Sequence, residues 1–153
     1  KRVYEEVYLS RWKPEWETLL SDRSRPLSDR LNQFYHEYTA AIFEFEWVRI
    51  LVFSGIKGVT LYQQYIELVH DKILDRICTE LRATHNLPDP GKVPLTERET
   101  DLAWNFHGGI FYIAIRKFIY GSETREDFTA AIEDSISVFL AGVPSVFKSI
   151  LKK

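Results

Sequence analysis

The chain has 153 residues, 45% of them hydrophobic, with ten Phe, eight Tyr, four Trp and a net charge of −2 at pH 7. That length and composition suffice for one buried core, which excludes disorder as the main state, and the lone cysteine, Cys78, excludes an intramolecular disulfide scaffold. The faintly acidic balance argues against gripping nucleic acid by this segment itself, and no unbroken apolar run nears the ~20 residues that span a bilayer. Lys1 opens onto a mixed polar stretch, not an apolar leader, and there is no methionine. The expectations are a single domain over residues 1–153, a reducing cytoplasmic setting without membrane attachment, and further sequence upstream of Lys1.

Taken in chain order, the elements read as helices separated by Pro and Gly, with almost no period-2 alternation. Val3 to about Trp12 carries apolar residues at helical spacing until Pro14 interrupts it, and Ser21 to Pro26 reads as a polar connection. A helix then starts near Leu27 or Ser28, with Leu31, Phe34, Tyr38, Ala41 and Phe45 as its stripe, widened by Tyr35 and Ile42. Trp47 to Phe53 reads as a short apolar helix ended at Ser54-Gly55, and Gly55-Ile56-Lys57-Gly58 as a helix break. Thr60 can cap a helix from Leu61 to about Thr84, with Ile66, Val69, Ile73, Ile77 and Leu81 on its core face. Asn86 to Leu95, with its prolines, is the clearest loop.

Thr96 with Glu99 forms a capping-box pattern that opens a helix from Glu97 to Tyr120, stopped by Gly121. Thr124 can cap the last helix, striped by Phe128, Ile132, Ile136, Phe139 and Val143 ahead of Pro144. The fold class expected is all-α, an antiparallel bundle of about six helices.

From Phe106 onward the Glu97–Tyr120 helix is apolar almost all round, so it must be covered all round. It measures roughly 36 Å, comparable to a whole domain of this size. The rest of the chain can cover one side and a second subunit the other, in a two-fold homodimer; a central helix wholly inside one domain is the alternative. His107-Gly108-Gly109 sits within this helix. Two interior glycines cost about 1 kcal/mol each against alanine, which close approach of another helix or a ligand would offset.

Catalytic patterns are scarce. No HExxH, GxSxG, phosphate loop or GxGxxG occurs, and no catalytic residue, metal or cofactor is expected. Glu67-x-x-His70 matches half of a di-iron bundle motif, which leaves a metal-dependent helical-bundle oxidoreductase as one alternative. A stand-alone helical adaptor is another. The remaining signal is an aromatic surplus. Phe34, Tyr38, Trp47, Phe53, Tyr62, Tyr65 and Trp104 should converge between helices, with Ile66, Val69, His70, His107 and Phe111 beside them. Aromatic walls with a few polar tips suit a pocket for a small hydrophobic or aromatic effector, or simply fill a core. Planar hydrophobes, acyl chains and, with Glu44 or Glu46 turned inward, lipophilic cations all remain open as ligands.

Several stretches together resemble the C-terminal regulatory domain of TetR-type bacterial transcriptional regulators. Lys1-Arg2-Val3-Tyr4-Glu5-Glu6-Val7 is similar to the start of their connecting helix, and Arg30-Leu31-x-x-Phe34-Tyr35-x-x-Tyr38 and Glu46-Trp47-Val48-Arg49-Ile50 to the next two. Leu102-Ala103-Trp104-Asn105-Phe106-His107-Gly108-Gly109 resembles their penultimate helix, and Asp127-Phe128 to Pro144 the closing dimerisation helix. The resemblance implies no enzyme but an effector-sensing homodimer, with the last two helices forming a four-helix dimer bundle through Ile115, Phe118, Ile132, Ile136, Phe139 and Leu140. The family's DNA-reading segment has no counterpart here, so operator DNA would be met only through a missing N-terminal segment.

Overall fold

The computed structural model describes residues 10–123 and 125–152, all helix and loop. Among them lie α1 (Glu15–Ser21), α2 (Leu27–Ile42), α3 (Phe45–Ile56), α4 (Thr60–Val69), α5 (Asp75–Thr84), α6 (Glu97–Phe118) and α7 (Thr129–Leu151). A π-helical turn, His70–Leu74, joins α4 to α5, so Thr60 to Thr84 is one continuous rod, and the described residues form six helical rods and no strand. The all-α expectation is met among the described residues. The expected connecting helix at Val3–Trp12 and the expected cap at Thr124 lie outside them for residues 3–9 and 124.

α2 is the centre of the packing. It touches α1 on one side, α7 on another and α5 on a third, and Leu31, Phe34 and Tyr35 are fully buried in it. Each such ring or branched side chain contributes roughly 1.5–3 kcal/mol by leaving water. α6 packs along α7, where the Phe106 and Phe139 rings stack at 4.2 Å. α3 leans on α4 and α6.

Three elements depart from the periodicity. Pro14 begins a helix, α1, where an interruption was expected, because a proline at the first turn sacrifices no helical hydrogen bond. The α2 stripe stops at Ile42: Phe43 leaves the helix at φ −80°, ψ 67°, and Phe45 opens α3 half-exposed. α7 runs through Pro144 to Leu151 instead of ending before it. Pro144, Phe147 and Ile150 are all buried, and that burial offsets the ~3 kcal/mol a proline costs in a helix interior.

Charged residues brace the loops. Arg82 is fully buried and donates from Nε and Nη2 to both Glu99 carboxylate oxygens at 2.7 Å. Its other N–H groups reach the carbonyls of Pro88 (3.0 Å), Val93 (2.6 Å) and Pro94 (3.1 Å), so one guanidinium pins the proline loop to the start of α6. Glu99 also closes the expected capping box with Thr96. Burial pushes the Glu99 carboxyl up, but the bonds from Arg82 and Thr96 outweigh it and hold it below its usual range. A second buried carboxylate, Glu80, accepts from Arg30 at 2.9 Å and from Arg23 at 3.0 and 3.1 Å, joining α5 to α2 and the α1–α2 turn.

Candidate functional site

The rings expected to form a pocket divide between two places. Phe34, Tyr38, Trp47, Tyr65, Val69 and His107 come together, but all are buried and packed against one another. Tyr38 stacks on Phe34 at 5.5 Å, and Tyr65 meets Trp47 edge-on at 5.2 Å. The space left beside Tyr38 and Tyr65 is about 10 Å³, room for one water at most. These side chains therefore fill the core and leave no pocket among themselves. Ile66 is half-buried, Trp104 lies with its ring 6.4 Å from that of His107, and Phe111 packs edge-on against Phe43.

Within this core runs a chain of polar tips from α2, α6 and α4. The Tyr35 hydroxyl lies 3.1 Å from His107 Nδ1, the Tyr38 hydroxyl 3.5 Å from His107 Nε2, and Tyr38 is hydrogen-bonded to the Tyr65 hydroxyl. Burial lowers the His107 pKa from 6.5 to about 4 and raises the three phenols, so all four groups are neutral near pH 7. A neutral imidazole can donate from one nitrogen and accept at the other, which suits the two flanking hydroxyls. The arrangement ties three helices together through buried side chains.

Open space lies elsewhere, where α3, the α3–α4 turn, the start of α4 and the end of α6 line a groove of about 950 Å³. Its walls are Ile50, Val52, Phe53, Ile56, Leu61 and Ile119, with Arg49, Lys57, Ser54, Val59, Thr60 and Gln64 completing it. Of the expected pocket residues Phe53 alone lines it, 60% exposed. Tyr62 explains how the groove is shaped. Its ring carbons sit 3.1–3.2 Å from where a Cβ on Gly55 would be, so the glycine lets α4 fold tightly back on α3. Gly58, at φ +64°, makes the turn between them. Ile56 and Val59 are 77% and 48% exposed, an apolar concentration that a lone water-facing surface rarely carries. Sequence reasoning placed a helix break here; the signal it passed over was the apolar run Ile50 to Phe53 continuing to Ile56 across that break.

No family model, no curated protein and no solved structure matches the chain.

Of the residues expected at a dimer interface, three turn inward within the protomer and three are partly covered. Ile132, Ile136 and Phe139 are buried inside the protomer, turned toward α2 and α6, and Ile115, Phe118 and Leu140 are half-buried against the same core. The stripe at helical spacing on α7 is its inward face. The free sides of the two helices are built from other residues: Gly108, Gly109 and Tyr112 on α6, and Val138, Ala141, Gly142 and Val146 on α7. A Cβ on either Gly108 or Gly109 would meet nothing within 4 Å, so the close approach expected there is not made within the protomer. α7 is also the one described helix long and apolar enough, by length and composition, to cross a membrane, with a mean hydropathy of 1.4 over its most apolar stretch. Counting unbroken apolar runs missed it, because serines and glycines interrupt the run without lowering the mean far. Only 28% of that stretch is buried.

The Glu67-x-x-His70 pattern does not assemble a bundle site. His70 lies half-exposed on the π turn, with Nδ1 2.9 Å from Asp71 and Nε2 3.8 Å from Asp75, while Glu67 is exposed. His70, Asp71 and Asp75 place one ligand atom each within 4.8 Å of one another, on the surface. Cys78 is buried with its thiol 3.6 Å from the Glu99 carbonyl, and burial together with the Glu99 and Asp75 charges pushes it up to about 12. A thiol so protonated is a packing group, not a nucleophile.

Proposed function

We propose that this chain is a ligand-binding and self-associating helical domain, the effector-sensing part of a TetR-like transcriptional regulator. The observation that carries the reading is the groove of about 950 Å³, apolar-walled and open to solvent, within the size range of small-molecule sites. The uncovered side of α6 and α7 supports the second half: it carries Val138 and Tyr112 at 73% and 50% exposure beside glycines that admit close helix approach. The helix order and the resemblance of the stretches around Phe34, Trp47 and Trp104 supply the regulator context. There, an effector that binds one dimer arrangement better than another shifts the balance between them, and DNA contact belongs to other residues of the parent protein.

The groove is tested with a neutral hydrophobic fluorophore, N-phenyl-1-naphthylamine. Saturable binding near one per chain, lost on Phe53→Glu, is expected; binding that does not saturate, or that ignores the substitution, refutes the site. Self-association is tested by sedimentation. Val138→Glu should give folded monomers from a dimeric parent, since Val138 contributes little to the protomer core. A parent that sediments as a monomer at tens of micromolar, or a dimer that survives Val138→Glu and Val146→Glu together, removes the α6–α7 interface.

A further inference from the structure

The groove's electrostatics select among the ligand classes that its apolar walls leave open. The two carboxylates that would favour a lipophilic cation, Glu44 and Glu46, both point to solvent, and Glu44 is taken by Arg11 at 2.6 Å. No Asp or Glu lines the groove among the described residues, whereas Arg49 and Lys57 both do. Neither cation has an acidic partner among those residues. Arg49 lies over the Phe45 ring at 5.0 Å and donates one long bond, 3.3 Å, to the Phe118 carbonyl. Lys57 lies over the Phe53 ring at 5.5 Å. Such ring contacts hold a cation weakly at an exposed site and leave its donors available.

Arg49 and Lys57 are eight positions apart on α3 and its end, about 12 Å along the helix axis, with Ile50, Phe53 and Ile56 between them. Arg49 reaches the last turn of α6 through its bond to the Phe118 carbonyl, beside the wall residue Ile119, and Lys57 lies at the α3–α4 turn. An apolar trough with a cation at each end and no anion in its walls repels ammonium ligands and attracts organic anions. Arg49 offers a planar fork matched to a carboxylate, and Ser54, Thr60 and Gln64 are uncharged.

Resting on the groove reading above, we infer that the ligand is an amphipathic monocarboxylate, one acyl or aryl body lying along Ile50, Phe53 and Ile56 with its carboxylate held by Arg49 or, in the reversed orientation, by Lys57. A charge-assisted hydrogen bond at a partly exposed site corresponds to about tenfold in affinity.

The test is calorimetric titration of the full chain with three probes of one chain length, below their micelle-forming concentrations: dodecanoate, dodecanol and dodecyltrimethylammonium. Dodecanoate should bind about tenfold tighter than dodecanol, and the ammonium more weakly than either. Arg49→Gln and Lys57→Gln, both at exposed positions, should weaken dodecanoate binding more than dodecanol binding, and at least one should erase the dodecanoate advantage. If dodecanol binds but dodecanoate is no tighter, or if neither substitution moves it, the anion inference falls while the groove stands. If no probe binds, the groove reading falls with it.

Discussion

The buried imidazole of His107 makes the acid stability of this protein calculable. Burial lowers its pKa from 6.5 to about 4, so between those values the unfolded chain takes up a proton that the folded chain refuses. Stability is therefore greatest above about pH 6.5 and falls as pH drops, until the folded ring also protonates near pH 4. The full penalty is about 3 kcal/mol, of which about 2 kcal/mol develops between pH 7 and pH 5. That window lies above the range in which Glu80 and Glu99, both held low by arginine partners, begin to protonate and lose their own contributions. His85 is also lowered by burial, but it acts equally in parent and variant. Urea unfolding at fixed protein concentration, followed by the fluorescence of buried Trp16 and Trp47, should show the parent losing about 2 kcal/mol more than His107→Gln between pH 7 and pH 5. Parallel pH profiles for the two proteins, or a His107 ring that titrates by NMR near 6.5 in the folded state, would refute the buried Tyr35–His107–Tyr38 arrangement.

Further outcomes follow from the same packing. Arg82→Ala should destabilise the fold by about 3–5 kcal/mol, since it strands a fully buried Glu99 and frees three carbonyls of the proline loop; a loss under 1 kcal/mol in urea unfolding would contradict that geometry. Cys78 should resist a disulfide reagent in the folded protein and react within seconds once denatured, so fast labelling at pH 8 without denaturant would show the thiol is not buried. Gly55→Val should displace the Tyr62 ring and cost about 1–3 kcal/mol by overpacking, and a variant of parental stability with unchanged fluorophore binding would show that this approach does not shape the groove.

How far the sequence reaches is seen at particular residues. The Thr96–Glu99 capping box, the proline loop from Asn86 and the start of the helix near Leu27 were legible, because caps, prolines and apolar spacing act within a turn or two of chain. The stripe Ile132, Ile136 and Phe139 was equally legible as a stripe, but periodicity gives a face and not its partner; only packing showed that this face meets α2 and α6 while Val138 and Val146 stay uncovered. Tyr38 and Phe53 look alike by composition and spacing. One sits in the core and the other on an open wall because α3 turns away from α2 at Phe43, whose ring packs against Phe111 and Phe128.

The same holds for charge. An isolated charge is too costly to bury, and Arg82, Glu99, Glu80 and Arg30 become core residues only because the fold brings opposite charges from distant helices within hydrogen-bond reach. Helical segments, their starts and their apolar faces are local properties, fixed by backbone sterics and short-range periodicity. Which faces meet, which rings leave space and which cations find no anion depend on contacts between residues far apart in the chain, and the tertiary structure alone decides them.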